Sequence, residues 1–117
     1  MTTVVQLGRS VPSRADLQAA LLSVPAVTAP CWEIVAAEVA GDGCVDIVLC
    51  DSAVGARSAA QRWPAATIVA LVPATDDGGT VVATLAAGAD LCVRHESTCL
   101  LAAHLHSIAR RRGLVEV

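Results

Sequence analysis

The run Val45-Asp46-Ile47-Val48-Leu49-Cys50-Asp51 constrains the fold more than any other stretch of this chain. Between two aspartates stand four consecutive apolar residues, two of them β-branched. A strand with one wet face alternates apolar and polar side chains, whereas an unbroken apolar run belongs to a strand covered on both faces. Such strands form the middle of parallel sheets. Their last side chain emerges at the carboxyl edge, where ligands and reacting groups sit in open α/β folds. Asp51 is therefore expected at that edge.

The rest of the chain repeats the alternation. Residues 3–7, 32–36, 45–50, 67–72 and 91–93 read as strands, the fourth again apolar throughout. Ser13 is a good N-cap for a helix through Leu17, Leu21 and Leu22 that stops near Pro25. The stretch from 37 to Gly43 is short and ambiguous. A brief helix is expected over 56–62, before Pro64, and a small-residue helix over 80–87, with Gly88 in position for a left-handed cap. Ser97 caps a last helix in which Leu101, Leu105 and Ile108 recur at helical spacing, and Gly113 closes it. Strands alternating with helices in this order predict a parallel sheet covered by helices on both faces. At 117 residues the chain is expected to form one domain over 1–113, with a loose tail at 114–117.

Composition narrows the function classes. Hydrophobic residues make up 55% of the chain, yet no apolar run approaches the length of a membrane span. The opening Met1-Thr2-Thr3-Val4-Val5 has neither a basic region nor a long apolar one, so a cytoplasmic protein is expected. Net charge is −3 and every basic residue is arginine, which gives no general footprint for nucleic acid. The cluster Arg110-Arg111-Arg112 is read as complementing the macrodipole at the end of the last helix. Without Tyr or Phe there is no platform for stacking single-stranded bases.

The cysteines at 31, 44, 50, 92 and 99 form no Cys-x-x-Cys pair and are read as small buried hydrophobes. Cys92, His95, Cys99 and His104 match no zinc spacing, and no metal site is expected. Cys50 precedes Asp51, whose negative charge would raise the thiol pKa and blunt its reactivity.

Three features together resemble the receiver domain of two-component response regulators. They are the five-strand alternation, the strand that ends in Asp51, and the segment Leu85-Ala86-Ala87-Gly88-Ala89-Asp90 before the last strand. Arg14-Ala15-Asp16-Leu17 fits that family's first helix, and the Leu-rich, Arg-ended last helix fits its fifth. The resemblance implies a flavodoxin-like, doubly wound sheet of strand order 2-1-3-4-5, here with the second and third helices shortened. It also implies a toolkit for aspartyl phosphorylation. In the family an acidic pair and the acceptor Asp bind magnesium, with a Ser or Thr after the fourth strand and a Lys after the fifth. A phosphoryl dianion approaching a carboxylate needs that neutralising charge.

This chain keeps the acceptor position, Asp51, and departs elsewhere. The acidic-pair positions fall on Gly8 and Arg9, the hydroxyl position on Pro73 and the lysine position on His95. No acid occurs from Gln6 through Ser13. The loop 52–55 after Asp51 is read as trimmed. Asp51 is expected either to pair with the guanidinium of Arg9, helped by Arg94 or His95, or simply to cap a local turn.

The leading expectation is a degenerate, non-enzymatic receiver-like module that acts by protein contact, independently of phosphorylation, in transcriptional or other regulatory control. Its partners would be a second copy of itself and a regulatory output domain or protein, with no nucleic acid or membrane bound directly. In the family, the face made by the fourth helix, fifth strand and fifth helix commonly dimerises; here it carries Ala83, Ala86, Ala87, Asp90, Arg94 and Arg110. There Asp76, Asp77 and Asp90 are placed to meet arginines across a two-fold axis. No cofactor is expected. Magnesium enters only under the alternative of a working phospho-receiver modified on Asp51, for which Asp76 and Asp77 are the substitute metal ligands at the right edge. A further alternative is a small-molecule or redox sensor, with a cleft lined by Val54, Val72 and Pro73 or with Cys50 as its reactive group.

Overall fold

A computed structural model describes residues 2–9, 11–24, 32–41 and 43–113. Five strands, β1 (Thr2–Leu7), β2 (Trp32–Ala36), β3 (Ile47–Cys50), β4 (Thr67–Pro73) and β5 (Leu91–His95), alternate with five helices. The helices are α1 (Arg14–Ser23), α2 (Ala37–Ala40), α3 (Ala53–Arg62), α4 (Gly79–Ala87) and α5 (Thr98–Arg111). All strand pairs are parallel and the order is β2-β1-β3-β4-β5. This is the flavodoxin-like, doubly wound architecture expected from the sequence. The expected tail at 114–117 and Cys31 lie outside the described residues.

The period-two geometry of strands divides the core into two layers. Ile47 and Leu49, with Val4, Ile34, Val69, Leu71 and Val93, face Leu17 and Leu21 of α1 and Leu101, Leu105 and Ile108 of α5. Val48 and Cys50, with Val5, Ile68 and Ala70, face Ala37 of α2, Ala56 and Ala59 of α3, and Trp63. The second layer is built largely from alanine, so its helices approach closely. At Gly88, with φ of 130°, a Cβ would come within 3.0 Å of the Ala60 methyl on α3. Trp63 fills the volume the alanines leave, with Nε1 donating to the Gly41 carbonyl at 2.9 Å.

Helix starts follow their caps. Ser13, Ser52 and Ser97 each accept a backbone N–H three residues ahead, from Asp16, Gly55 and Leu100. The Ser52 cap corrects one expectation: α3 begins at Ala53, so residues 53–55 are its first turn rather than a loop. Helix α2 has only four residues and follows β2 without a connection, which accounts for its weak sequence signal. Strands β4 and β5 run on to Pro73 and His95, beyond the expected ends at 72 and 93. No helix among the described residues is long and apolar enough to cross a membrane.

Two carboxylates fasten the amino edge. Asp46 Oδ2 accepts the Thr3 N–H at 2.9 Å, joining β3 to β1. Asp90 Oδ2 accepts the Ile68 N–H at 2.8 Å, while the Asp90 N–H donates to the Ile68 carbonyl at 2.8 Å. The Asp90 carboxylate, at an exposed position, therefore also holds the start of β4 within its own fold. Because Ile68 is almost fully buried, Asp90→Ala would leave its N–H without an acceptor. The expected loss is about 1–3 kcal/mol of stability, with Asp90→Asn retaining most of it because the amide oxygen still accepts. Urea unfolding of the three proteins checks the ranking.

Candidate functional site

The registers converge on the carboxyl edge. Leu7 pairs with Cys50, so the next residues along, Gly8 and Asp51, lie opposite each other. Pro73 pairs with His95 one strand pair further on. The four positions singled out from sequence as Gly8, Asp51, Pro73 and His95 thus share one edge of the sheet.

Asp51 is half-buried against the backbone that leaves β1. The N–H of Arg9 donates to its Oδ2 at 3.0 Å. Gly8 makes this approach possible. Its φ is +122°, a region that disfavours a side chain, and an added Cβ would crowd three atoms of the Asp51 carboxylate, the farthest at 2.8 Å. Arg9 itself is exposed and meets Asp51 through its main-chain amide. Arg94, the other expected cation, is turned along the β4–α4 loop, with Nη1 donating to the carbonyls of Ala74, at 3.4 Å, and Asp76.

Asp51, Leu71, Val72, Pro73 and His95 line a cavity of about 130 Å³. Val54 is 81% exposed on α3 and is not among the lining residues, so the expected Val54, Val72 and Pro73 cleft is corrected to one with a carboxylate and an imidazole in its wall. His95 Nε2 is buried with no hydrogen-bond partner among the described residues. The company of Asp51 and Pro73 was expected from the resemblance, whereas the partnerless nitrogen could not be read from a histidine at a strand end.

The other acids of this edge are engaged locally. Asp76 Oδ2 accepts the Gly78 N–H at 2.9 Å, and Asp77 Oδ1 accepts the Gly79 N–H at 3.0 Å. A hydrogen bond from the Thr80 side chain, reinforced by the Gly78 N–H, holds the Asp76 carboxyl below its ordinary range. Both residues therefore organise the entry to α4. A divalent cation of the magnesium type requires several oxygen ligands in near-octahedral array. Where β1 ends, such an ion would meet a glycine and an amide that already faces Asp51. Among the described residues no three His, Cys, Asp or Glu side chains are grouped to hold a metal. The residues present do not fit the family's ion.

On the face proposed for dimer contact, Ala83 and Ala86 are exposed on α4, and Ala87 is half-buried against the alanine-rich layer. Arg110 is exposed in the last turn of α5. The cysteines correct the reading as buried hydrophobes: Cys50 is buried and Cys92 half-buried, but Cys44 and Cys99 are exposed. Burial, more than the neighbouring Asp51 charge, pushes the Cys50 thiol up to about 11.

Two outcomes follow from this geometry. Gly8→Ala should cost about 1–3 kcal/mol through strain and collision. Combining it with Asp51→Ala should recover about 1 kcal/mol relative to the sum of the single changes, as measured in a double-mutant unfolding cycle. Additive effects would mean that the carboxylate does not crowd Gly8. Iodoacetamide at pH 8 should label Cys44 and Cys99 quickly and spare Cys50 in the folded protein, as read by peptide mass mapping.

No family model and no curated protein matches the chain. Solved structures do, at low identity. The response regulator DrrB of Thermotoga maritima, an OmpR/PhoB homolog, is similar with a TM-score of 0.69 at 15% identity over 96% of this chain. The chain spans about half, 54%, of DrrB. A LuxR family DNA-binding response regulator from Silicibacter pomeroyi gives 0.68 at 17% identity, over 95% of this chain and 93% of that one. Another response regulator from Thermotoga maritima gives 0.65 at 16% identity, over 94% and 99%. Strand order, helix placement and the edge that carries Asp51 together give this chain the fold of response-regulator receiver domains.

Proposed function

We propose that this chain is a phosphorylation-independent signalling module of receiver fold, acting by contact with a second copy of itself and with a regulatory output domain or protein. The observation that carries the proposal is the seat of Asp51. The Arg9 amide donates to its carboxylate, and Gly8 leaves no room for the side chain that would accompany it in a metal-dependent acceptor site. A carboxylate held by fixed main-chain dipoles keeps one state without a metal or phosphoryl group. The module is non-enzymatic and cytoplasmic, and its output is transcriptional or other regulatory control.

The contact surface proposed is the side of the molecule around α4, the edge strand β5 and α5. On α4, Val82 is 68% exposed and Leu85 43% exposed, next to the small Ala83 and Ala86. Large apolar side chains flanked by small ones let a partner helix approach closely, as an isologous interface requires. A second reading, a small-molecule sensor, is favoured by the cavity beside Asp51, where the buried His95 Nε2 offers an unused hydrogen-bonding position.

Light scattering with and without magnesium plus beryllofluoride, paired with mass spectrometry after acetyl phosphate, tests the main reading. A dimer unchanged by either reagent is expected, together with an unmodified Asp51 and conversion to monomer by Val82→Glu. Magnesium-dependent phosphorylation of Asp51, or an assembly state that follows beryllofluoride, would overturn it.

A further inference from the structure

Helices α1, α3 and α5 each begin on a serine whose hydroxyl accepts an N–H of the first turn, but α4 has no such cap. Its N-cap is Gly78, with φ of 105° and no side chain to offer. Packing holds α4 lightly as well. Thr84 is its one buried residue, and Val82, Ala83, Leu85 and Ala86 are exposed. The start of this helix is fixed from outside it.

The loop between β4 and α4 does so through Asp76. The Asp76 N–H donates to the Pro73 carbonyl at 3.0 Å, at the end of β4. Its Oδ2 accepts the Gly78 N–H at 2.9 Å, and the Thr80 side chain donates to the same carboxyl. The Asp76 carbonyl accepts from Nη1 of Arg94, which also donates to the Ala74 carbonyl at 3.4 Å. One residue thus joins β4, the first turn of α4 and, through Arg94, the edge strand β5. Arg94 pairs in register with Val72, so its side chain reaches forward past the end of β4 to meet these carbonyls. Both acceptors are neutral, and the guanidinium brings a charge-assisted bond to each. These bonds are made by an exposed side chain, where water competes for the same donors.

We propose that Arg94 is a strap that holds the β4–α4 loop to β5 and thereby sets the start of α4. With the strap fastened, the loop and the first turn of α4 move as one with the sheet. With it released, residues 74–82 loosen while α5, seated on its leucines, keeps its place. Val82, whose N–H donates to the Gly78 carbonyl at 3.0 Å, rides on the turn that the strap governs. The strap therefore controls how the exposed apolar side of α4 is presented, whether or not that side binds a second copy of the chain.

The test is amide hydrogen exchange, read by mass spectrometry on peptides covering 74–82 and 98–111. It is run on the whole chain at a concentration where light scattering shows a monomer, so that no interface protects α4. Arg94→Gln should speed exchange in 74–82 by about tenfold, the loss of a hydrogen bond to a charged group, and leave 98–111 unchanged. Arg94→Lys, which keeps a charged donor, should fall between that variant and the parent. Arg57→Gln, which removes an exposed arginine from α3, should match the parent and so control for net charge. Unchanged exchange in 74–82 on Arg94→Gln, equal acceleration in 98–111, or the same acceleration from Arg57→Gln would each overturn the proposal.

Discussion

The complete burial of β3 is the constraint on which both edges of the molecule depend. Ile47, Val48, Leu49 and Cys50 are all at 0% exposure, so the polar groups that bracket them emerge only at the strand's two ends. Each end then does the same thing. Asp46 accepts an N–H from the start of β1 at Thr3, and Asp51 accepts one from just beyond its end at Arg9. The central strand is thereby clasped to its neighbour at both edges by carboxylate-to-amide bonds, on either side of a ladder that runs from Val4 and Ile47 to Leu7 and Cys50. Asp51 and Asp46 thus share one kind of bond, a carboxylate oxygen accepting an amide N–H from the β1 segment.

The two edges differ in what surrounds these bonds. At the carboxyl edge Asp76 and Asp77 accept main-chain N–H groups at the entry to α4, and Arg94 of β5 donates to carbonyls of the segment between β4 and α4. At the amino edge Arg62 of α3 and Arg112 at the end of α5 meet from different layers, and Arg112 is drawn there by the Thr67 hydroxyl.

Much of this was legible in the chain because burial writes directly into strand sequence. The unbroken runs of β3 and β4, the caps Ser13 and Ser97 and the glycine after α4 gave the parallel sheet, the starts of α1 and α5 and the edge that carries Asp51, while the strand order came from the family resemblance. What escaped the sequence depends on backbone positions that no local pattern encodes. The beginning of α3 was missed because Ala53-Val54-Gly55 looks like a loop unless Ser52 is known to cap it. Asp90 looks like a surface charge until the turn after α4 brings it against Ile68. Arg112 looks like a helix-end cation until its side chain is seen on Thr67. Gly8 carried a signal, a glycine where an acid was expected, but its reason is steric and appears only when the Asp51 carboxylate is placed beside it.

The unequal layers suggest where such a module can give and where it cannot. On the α1 and α5 side, leucines and isoleucines interlock with the sheet, and large side chains in close-packed layers resist displacement. On the α2, α3 and α4 side, contacts are made by methyl groups, so a small sliding of α3 against α4 forfeits less dispersion energy per residue. The exposed apolar residues Val54 and Val82 lie on these same thin-layer helices. A partner that engages α4 would thus act on the layer least firmly held, while α5 stays fixed to the sheet. Alanine packing thus leaves α3 and α4 less interlocked with the sheet than the leucine-bearing α1 and α5.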